Sequence, residues 1–393
     1  MFSCSPCPGQ TPPVAEGTRL PTALKNLVKD VRSHTIASSF PEEARTVTVY
    51  LPPGYERDVD TRYPTMYILD GQRNALLFAP IARFFAARDR APNVILVSLS
   101  SAGGIRGRDY TPANPSDDGS TIVGANQYLQ HLEQELIPFI DATYRTEPFR
   151  ILSGESRGGL FAMHAMIERP ELFQAYFLLS PALYHDEAAI IPRLRQFLDR
   201  ESQLNISLYM NMGSEGSYFA DAFNAASAAF EENTPAGLAW HIDLLPDEPH
   251  GLTGISGQYN AFRRLFSDWR IPFELVESDG AAGAIAHFEN LSNQYGYSVR
   301  PPENSLTEYG YTFFGLKKYD IALGLFRLCR DLYPRSANAY DSVADGLEAI
   351  GQREEAIGMM QKAIEIAGQT NDPNLKIFKD HLQRLEREGR PPN

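Results

Sequence analysis

The chain has 393 residues, 36 Lys and Arg against 49 Asp and Glu, a net charge of −13 and 43% hydrophobic residues. That composition excludes a disordered or fibrous protein, and with no dense Lys/Arg stripe it argues against nucleic acid or anionic lipid as the main partner. No run reaches the roughly 18 apolar residues that span a bilayer, so a soluble protein is expected. The three cysteines, Cys4, Cys7 and Cys329, cannot make a disulfide scaffold. Cys4 and Cys7 also lack the second pair that a zinc site needs, so no metal is expected. The compartment stays open between cytoplasm and export, the latter if a leader is missing from the start.

In chain order, residues 1–40 read as a flexible N-terminal segment, Pro-rich at first. From Thr46, TVTVYLPPGY alternates with period two and ends in a turn. Short apolar runs recur at 63–70, 93–100, 149–156, 175–183, 205–213 and 238–246. Between them lie helical spacings at 74–87, 124–140, 157–168, 187–200, 218–232 and 252–268. Strands alternating with helices predict an α/β domain over 41–270, with a mostly parallel sheet covered on both faces. Residues 271–302 read as a linker, and 303–393 as an all-α helical region.

That last region carries an internal period. A shift of 34 residues lays Ala322-Leu323-Gly324 on Ala356-Ile357-Gly358 and Phe326 on Met360. The two stretches, about 305–372, resemble tetratricopeptide repeats, with 373–389 as a capping helix. Two repeats and a cap are too few to stand alone, so they are expected to lean on the α/β domain or on a second subunit. A packing tail and a peptide-binding groove are both compatible with the pattern.

The chemistry concentrates at Gly154-Glu155-Ser156-Arg157-Gly158, a G-x-S-x-G pattern between the strand FRIL and the helical stretch LFAMHAMIE. A turn tight enough to lift a serine hydroxyl clear of the sheet needs small residues on either side, which makes this a nucleophile elbow. Here the chain resembles the α/β-hydrolase fold, and within it the putative esterase family that includes enterochelin esterases, feruloyl esterases and mycolyltransferase-like proteins. The likeness rests on VYLPPGY (49–55), YPTMYILDGQ (63–72), RGRDYTP (106–112), LIPFIDATYRT (136–146), SGESRGGLFA (153–162), SPAL (180–183) and EPHGL (248–252).

The resemblance implies a serine carboxylic-ester hydrolase without a cofactor. Ser156 would be the nucleophile, His250 after the last strand the general base, and Glu215 after NISLYMNMG the acid that orients it. His185 is the main rival base, while His241 and His164 read as packed residues. Asp221, Asp247 and Glu248 are the rival acids, and some relatives manage with a Ser-His pair. The backbone N–H groups of Arg157 and Gln72 would form the oxyanion hole, with Asp70-Gly71 turning the chain before it. The Arg157 side chain either greets an acidic acyl group or pairs with Glu155, the safer reading being surface pairing. Arg106, Arg108 and Asp109 read as loop scaffolding. Gly71, Tyr110, His185 and Phe219 are candidate pocket residues.

The expected partner is a small-molecule ester, with a homodimer or protein partner through the tail as a further possibility. An acyltransferase of the same fold, or a scaffold that recruits partners through its tail, is the alternative to hydrolysis.

Overall fold

The computed structural model describes residues 30–40, 42–56, 58–101, 105–113 and 124–387, so Cys4 and Cys7 lie outside the described residues. Eight strands make one sheet: β1 (Val31–Ser39), β2 (Glu42–Tyr50), β3 (Tyr63–Ile68), β4 (Ile95–Leu99), β5 (Thr146–Glu155), β6 (Ala175–Leu179), β7 (Gln203–Met212) and β8 (Ala236–Leu244). Their order is β1-β2-β4-β3-β5-β6-β7-β8. The β1–β2 and β2–β4 pairs are antiparallel, and all pairs from β4 to β8 are parallel. This is the mostly parallel sheet that the spacing predicts, and it agrees with the α/β-hydrolase fold that the resemblance implies. β1 is an edge strand lying in a stretch that the sequence reads as flexible.

Every residue of β3, β4 and β6 is buried, as expected of parallel strands with both faces covered. Strand alternation sorts the apolar side chains into two cores. Met66, Ile68, Ile151, Phe177 and Leu179 join one cluster, while Tyr67, Leu69, Leu152, Tyr176 and Leu178 join the other. The second core is covered by α2 (Ala125–His131), α3 (Ile137–Thr143), α4 (Arg157–Glu168), α5 (Ile190–Arg200) and α6 (Ser217–Glu232). The first is covered by α1 (Gly71–Ala87) and α7 (Thr253–Leu265), and it continues without a break into the helical tail.

Residues 271–302, which the composition reads as a linker, hold α8 (Phe273–Tyr295), kinked at Gly280, where φ is 57°. Val276, Ala284, Phe288, Leu291 and Tyr295 of α8 are buried. Behind it stack α9 (Glu303–Gly315), α10 (Tyr319–Leu332), α11 (Ala337–Ala349), α12 (Arg353–Thr370) and α13 (Leu375–Arg387). The 34-residue period reappears in the helix starts, from Glu303 to Ala337 and from Tyr319 to Arg353. Leu323, Phe326 and Met360 are buried and Ile357 partly so.

The tail leans on the α/β body. The Tyr309 hydroxyl donates to the Ile271 carbonyl, Arg270 pairs with Glu308 at 3.1 Å, and Trp269 meets Phe288 edge-on at 5.9 Å. Among the described residues no helix is long and apolar enough to cross a membrane.

Candidate active site

The carboxyl ends of β3, β5, β7 and β8 lie along one edge, where open α/β sheets bind ligands. At the end of β5, Ser156 adopts φ 58° and ψ −116°, a conformation that costs about 1 to 3 kcal/mol for a residue with a Cβ. Its surroundings impose it. The Ser156 N–H donates to the Leu179 carbonyl at 2.8 Å, and its carbonyl accepts from Ala182 and Leu160 at 2.9 and 3.0 Å. Gly154 has no alternative, since a Cβ there would sit 2.2 Å from the Gly158 carbonyl oxygen.

Two helix N-termini meet at this point. α4 begins at Arg157, and α1 begins at Gly71 after Asp70 turns through φ 52°. Neither has a side-chain cap, so their first amides keep free donors and partial positive charge. β3 and β5 are neighbours with Ile68 opposite Ser153, and Gly158 faces Leu69 and Asp70, which sets the two ends side by side. Gly71 is fixed by close approach, because a Cβ would meet Ser98 at 2.4 Å. The Gln72 side chain bonds Ser100, leaving its backbone N–H in the first turn.

His250 and Glu215 come together from separate loops, with His250 Nδ1 and Glu215 Oε1 3.0 Å apart. The Glu215 side chain is 3% exposed and that of His250 is 37% exposed. A buried carboxylate behind a partly exposed imidazole can fix one tautomer and leave Nε2 as the nitrogen available to a second partner. The His250 loop is itself clamped: Ser214 N–H donates to the Glu248 carbonyl at 2.8 Å, and Thr253 Oγ1 to the His250 carbonyl at 2.8 Å. Gly254 lies against the Glu155 carboxyl with no room for a Cβ, which brings the loop onto the residue preceding Ser156. No Ser156–His250 hydrogen bond closes among the described residues, a looseness usual in unliganded hydrolases.

Of the rival residues, His164 and His241 are engaged elsewhere. His164 is buried between Asn126 and Arg193, and burial pushes its pKa down to about 3. His241 pairs with Asp243 at 2.7 Å. Burial and the Arg157 charge lower the pKa of half-buried His185. Asp221 is exposed in α6 and Asp247 is exposed in the loop before His250, while Glu248 is linked to Ser214 through its backbone carbonyl.

Two expectations change. The safer pairing of Arg157 with Glu155 is not made: Glu155 pairs with Arg73 of α1 at 3.2 Å, and Arg157 Nη1 reaches Thr111 Oγ1 at 3.5 Å. Tyr110, offered as pocket lining, is fully buried, packed on Phe161 at 5.6 Å with its hydroxyl accepting from the Asp70 N–H. It supports the turn from beneath. Phe219 does reach the site, 5.0 Å from the His250 ring and 4.4 Å from Tyr184. Arg106 holds both Asp70 oxygens at 2.9 Å, while Arg108 and buried Arg45 hold Asp109, so that motif is scaffolding.

Sequence reasoning missed several residues. Glu155 is 6% exposed beside Ser156, and burial raises its pKa against the pull of Arg73 and His250. Asn211 is fully buried, accepting from the Ser180 N–H at 3.0 Å and donating to the Thr253 carbonyl at 3.1 Å, so it ties β6 and β7 to the start of α7. A polar Asn inside the apolar run SLYMNMG was the available signal.

Known proteins agree with this architecture. A family model described as "Putative esterase" matches residues 38–247, more than half of the chain. YbbA of Bacillus subtilis is 26% identical over 178 residues, covering 44% of this chain and 68% of that protein. The ferri-bacillibactin esterase BesA of the same organism is 23% identical over 181 residues, covering 42% of this chain and 63% of its own length. A crystal structure of an IroE-like serine hydrolase from Shewanella oneidensis superposes with a TM-score of 0.65 at 26% identity, covering 77% of this chain and 99% of that one. The chain belongs to this esterase family of α/β-hydrolase fold.

Proposed function

We propose that the protein is a serine carboxylic-ester hydrolase in which Ser156 forms an acyl-enzyme. Ser156 Oγ attacks the ester carbonyl carbon as its proton passes to His250 Nε2, while Glu215 holds the Nδ1–H. The developing oxyanion is received by the N–H groups of Arg157 and Gln72. Collapse breaks the C–O bond, and the alcohol leaves with the proton from His250. Water, deprotonated by the same imidazole, then releases the carboxylate and restores Ser156.

The observation that carries this reading is the contact of His250 with buried Glu215 at 3.0 Å, set against a strained serine between two uncapped helix ends. Packing alone gives no reason for it. The likeness to BesA extends the proposal to ester-linked siderophores as substrates. Arg157 supports that extension, since one residue from the nucleophile it has no carboxylate partner among the described residues and is free to meet an anionic substrate.

Labelling with a fluorophosphonate followed by peptide mass spectrometry tests the chemistry. One adduct on the peptide holding Ser156, lost in Ser156→Ala, is expected, and an unlabelled Ser156 overturns the assignment. Hydrolysis of ferri-bacillibactin against p-nitrophenyl butyrate tests the substrate class, and a preference for the simple ester overturns that extension.

A further inference from the structure

α1 and α7 both start at the site just described and run away from it, α1 for 17 residues and α7 for 13. At 1.5 Å per residue their far ends lie about 20 to 25 Å away. There they flank an open surface pocket of about 480 Å³, lined by Phe84, Tyr259, Arg88, Arg90, Arg263 and Arg264 among others. That volume falls within the roughly 300 to 1,000 Å³ of small-ligand pockets.

The chemistry of this cavity runs against the rest of the chain. In a protein of net charge −13, four guanidinium groups share one pocket. Two helix C-termini of about half a charge each offset some of it and leave the pocket lining itself net positive. Among the described residues no nearby carboxylate forms an ion pair with these four arginines. Asp89 is 8% exposed and hydrogen-bonds Ser305 of the tail, Glu308 pairs with Arg270, and Asp268 accepts from Ser267. Arg264 feels Asp243 at longer range, but Asp243 is already bonded to Tyr209 and His241. Among the described residues Arg88, Arg90 and Arg263 form no ion pair.

The apolar walls are equally exposed. Phe84 is 61% and Tyr259 43% accessible, Tyr259 lies 5.2 Å from the Phe85 ring, and Arg88 stands 5.3 Å over Phe84. Water-exposed aromatic rings beside unneutralised arginines suit a ligand that is flat on one side and anionic on the other. Rings stack on the aromatics and on guanidinium planes, and a carboxylate or sulfonate accepts the paired N–H groups of an arginine fork.

We propose that this cavity is a binding site for an aromatic anion of the arylcarboxylate or arylsulfonate class, separate from the Ser156 site and independent of its chemistry. The probe is 8-anilinonaphthalene-1-sulfonate, titrated into the full-length protein by fluorescence. Expected are one saturable site, at least tenfold weaker binding in the Arg88→Ala/Arg263→Ala variant, a similar loss in Phe84→Ala/Tyr259→Ala, and at least tenfold weaker binding of neutral N-phenyl-1-naphthylamine. Hydrolysis of p-nitrophenyl acetate by both variants should equal wild type, because all four side chains are exposed and remote from Ser156. Equal affinity for the neutral probe, unchanged affinity in the arginine variant, or displacement by inorganic sulfate at the same concentration as by benzoate would each overturn the proposal.

Discussion

Ser156→Ala removes one hydroxyl from a position where the backbone is already fixed by three hydrogen bonds, so the protein should fold normally and lose p-nitrophenyl butyrate hydrolysis. Glu215→Gln is the finer test of the proposed triad. An amide at that place cannot stabilise the imidazolium, and kcat should fall by on the order of 10²- to 10⁴-fold, less than in Ser156→Ala or His250→Ala. An unchanged rate would point to a Ser-His pair. Stability at residue scale is best probed at Asp109, 1% exposed against Arg45, which is itself 4% exposed. Asp109→Ala leaves that guanidinium without its nearest partner, and a loss of about 3 to 5 kcal/mol in urea unfolding is expected. The elbow and the loop positions of His250 and Glu215 were legible because strand ends and turn residues mark them locally. Asn211 stood out only as a polar residue in an apolar run, and neither its partners nor the Arg73–Glu155 pair were legible, since both join segments far apart in sequence.

The capping helix α13 offers a test at the level of the element. His381 of α13 donates its Nδ1–H to Asp341 of α11 at 2.8 Å, with Asp345 and Glu348 each 3.6 Å from its other nitrogen and Arg384 paired to Glu348. Asp341 is the main cause of a His381 pKa above the ordinary value, with burial and Arg384 opposing. A group whose folded pKa is raised contributes stability in full below its unfolded value of about 6.5, and that stability fades as pH climbs through the folded one. The gap in urea midpoint between wild type and His381→Gln should therefore narrow from about pH 6 to about pH 9, whereas a widening gap would contradict the ion-pair account. Elements differ in legibility for physical reasons. α8 hid because AAGAIAHF is poor in large apolar residues and its buried positions are spread over a kinked helix. β1 hid because an edge strand with mostly exposed side chains carries little hydrophobic alternation.

At the scale of the whole molecule the two tryptophans sit in different cores. Trp240 stacks on Phe230 at 5.8 Å beside the α6 face, and Trp269 packs among Phe266, Phe288 and Tyr295 where the tail begins. If sheet and tail unfold together, Trp240→Phe and Trp269→Phe proteins should report the same urea midpoint. Two separated transitions would make the tail an independent unit. Ending the chain after Arg300 removes Tyr309 with its bond to the Ile271 carbonyl and Glu308 with its pairing to Arg270, so a lower Tm and aggregation are expected, with hydrolysis of a small activated ester still measurable.

The shared core also gives the protein a birth order. Ser156, Glu215 and His250 all leave the ribosome before Leu306, Tyr309 and Phe313, side chains of the shared core, the last two of which pack on Phe273 at the start of α8. During that interval Phe262, Phe266 and Trp269 already have Phe78, Phe85, Phe149, Phe288 and Tyr295 against them, while the Ile271 carbonyl still waits for the Tyr309 hydroxyl. A chain that stalls there holds the proposed catalytic groups but lacks the last part of a core shared with the tail, so slower synthesis of the tail is expected to lower the soluble yield.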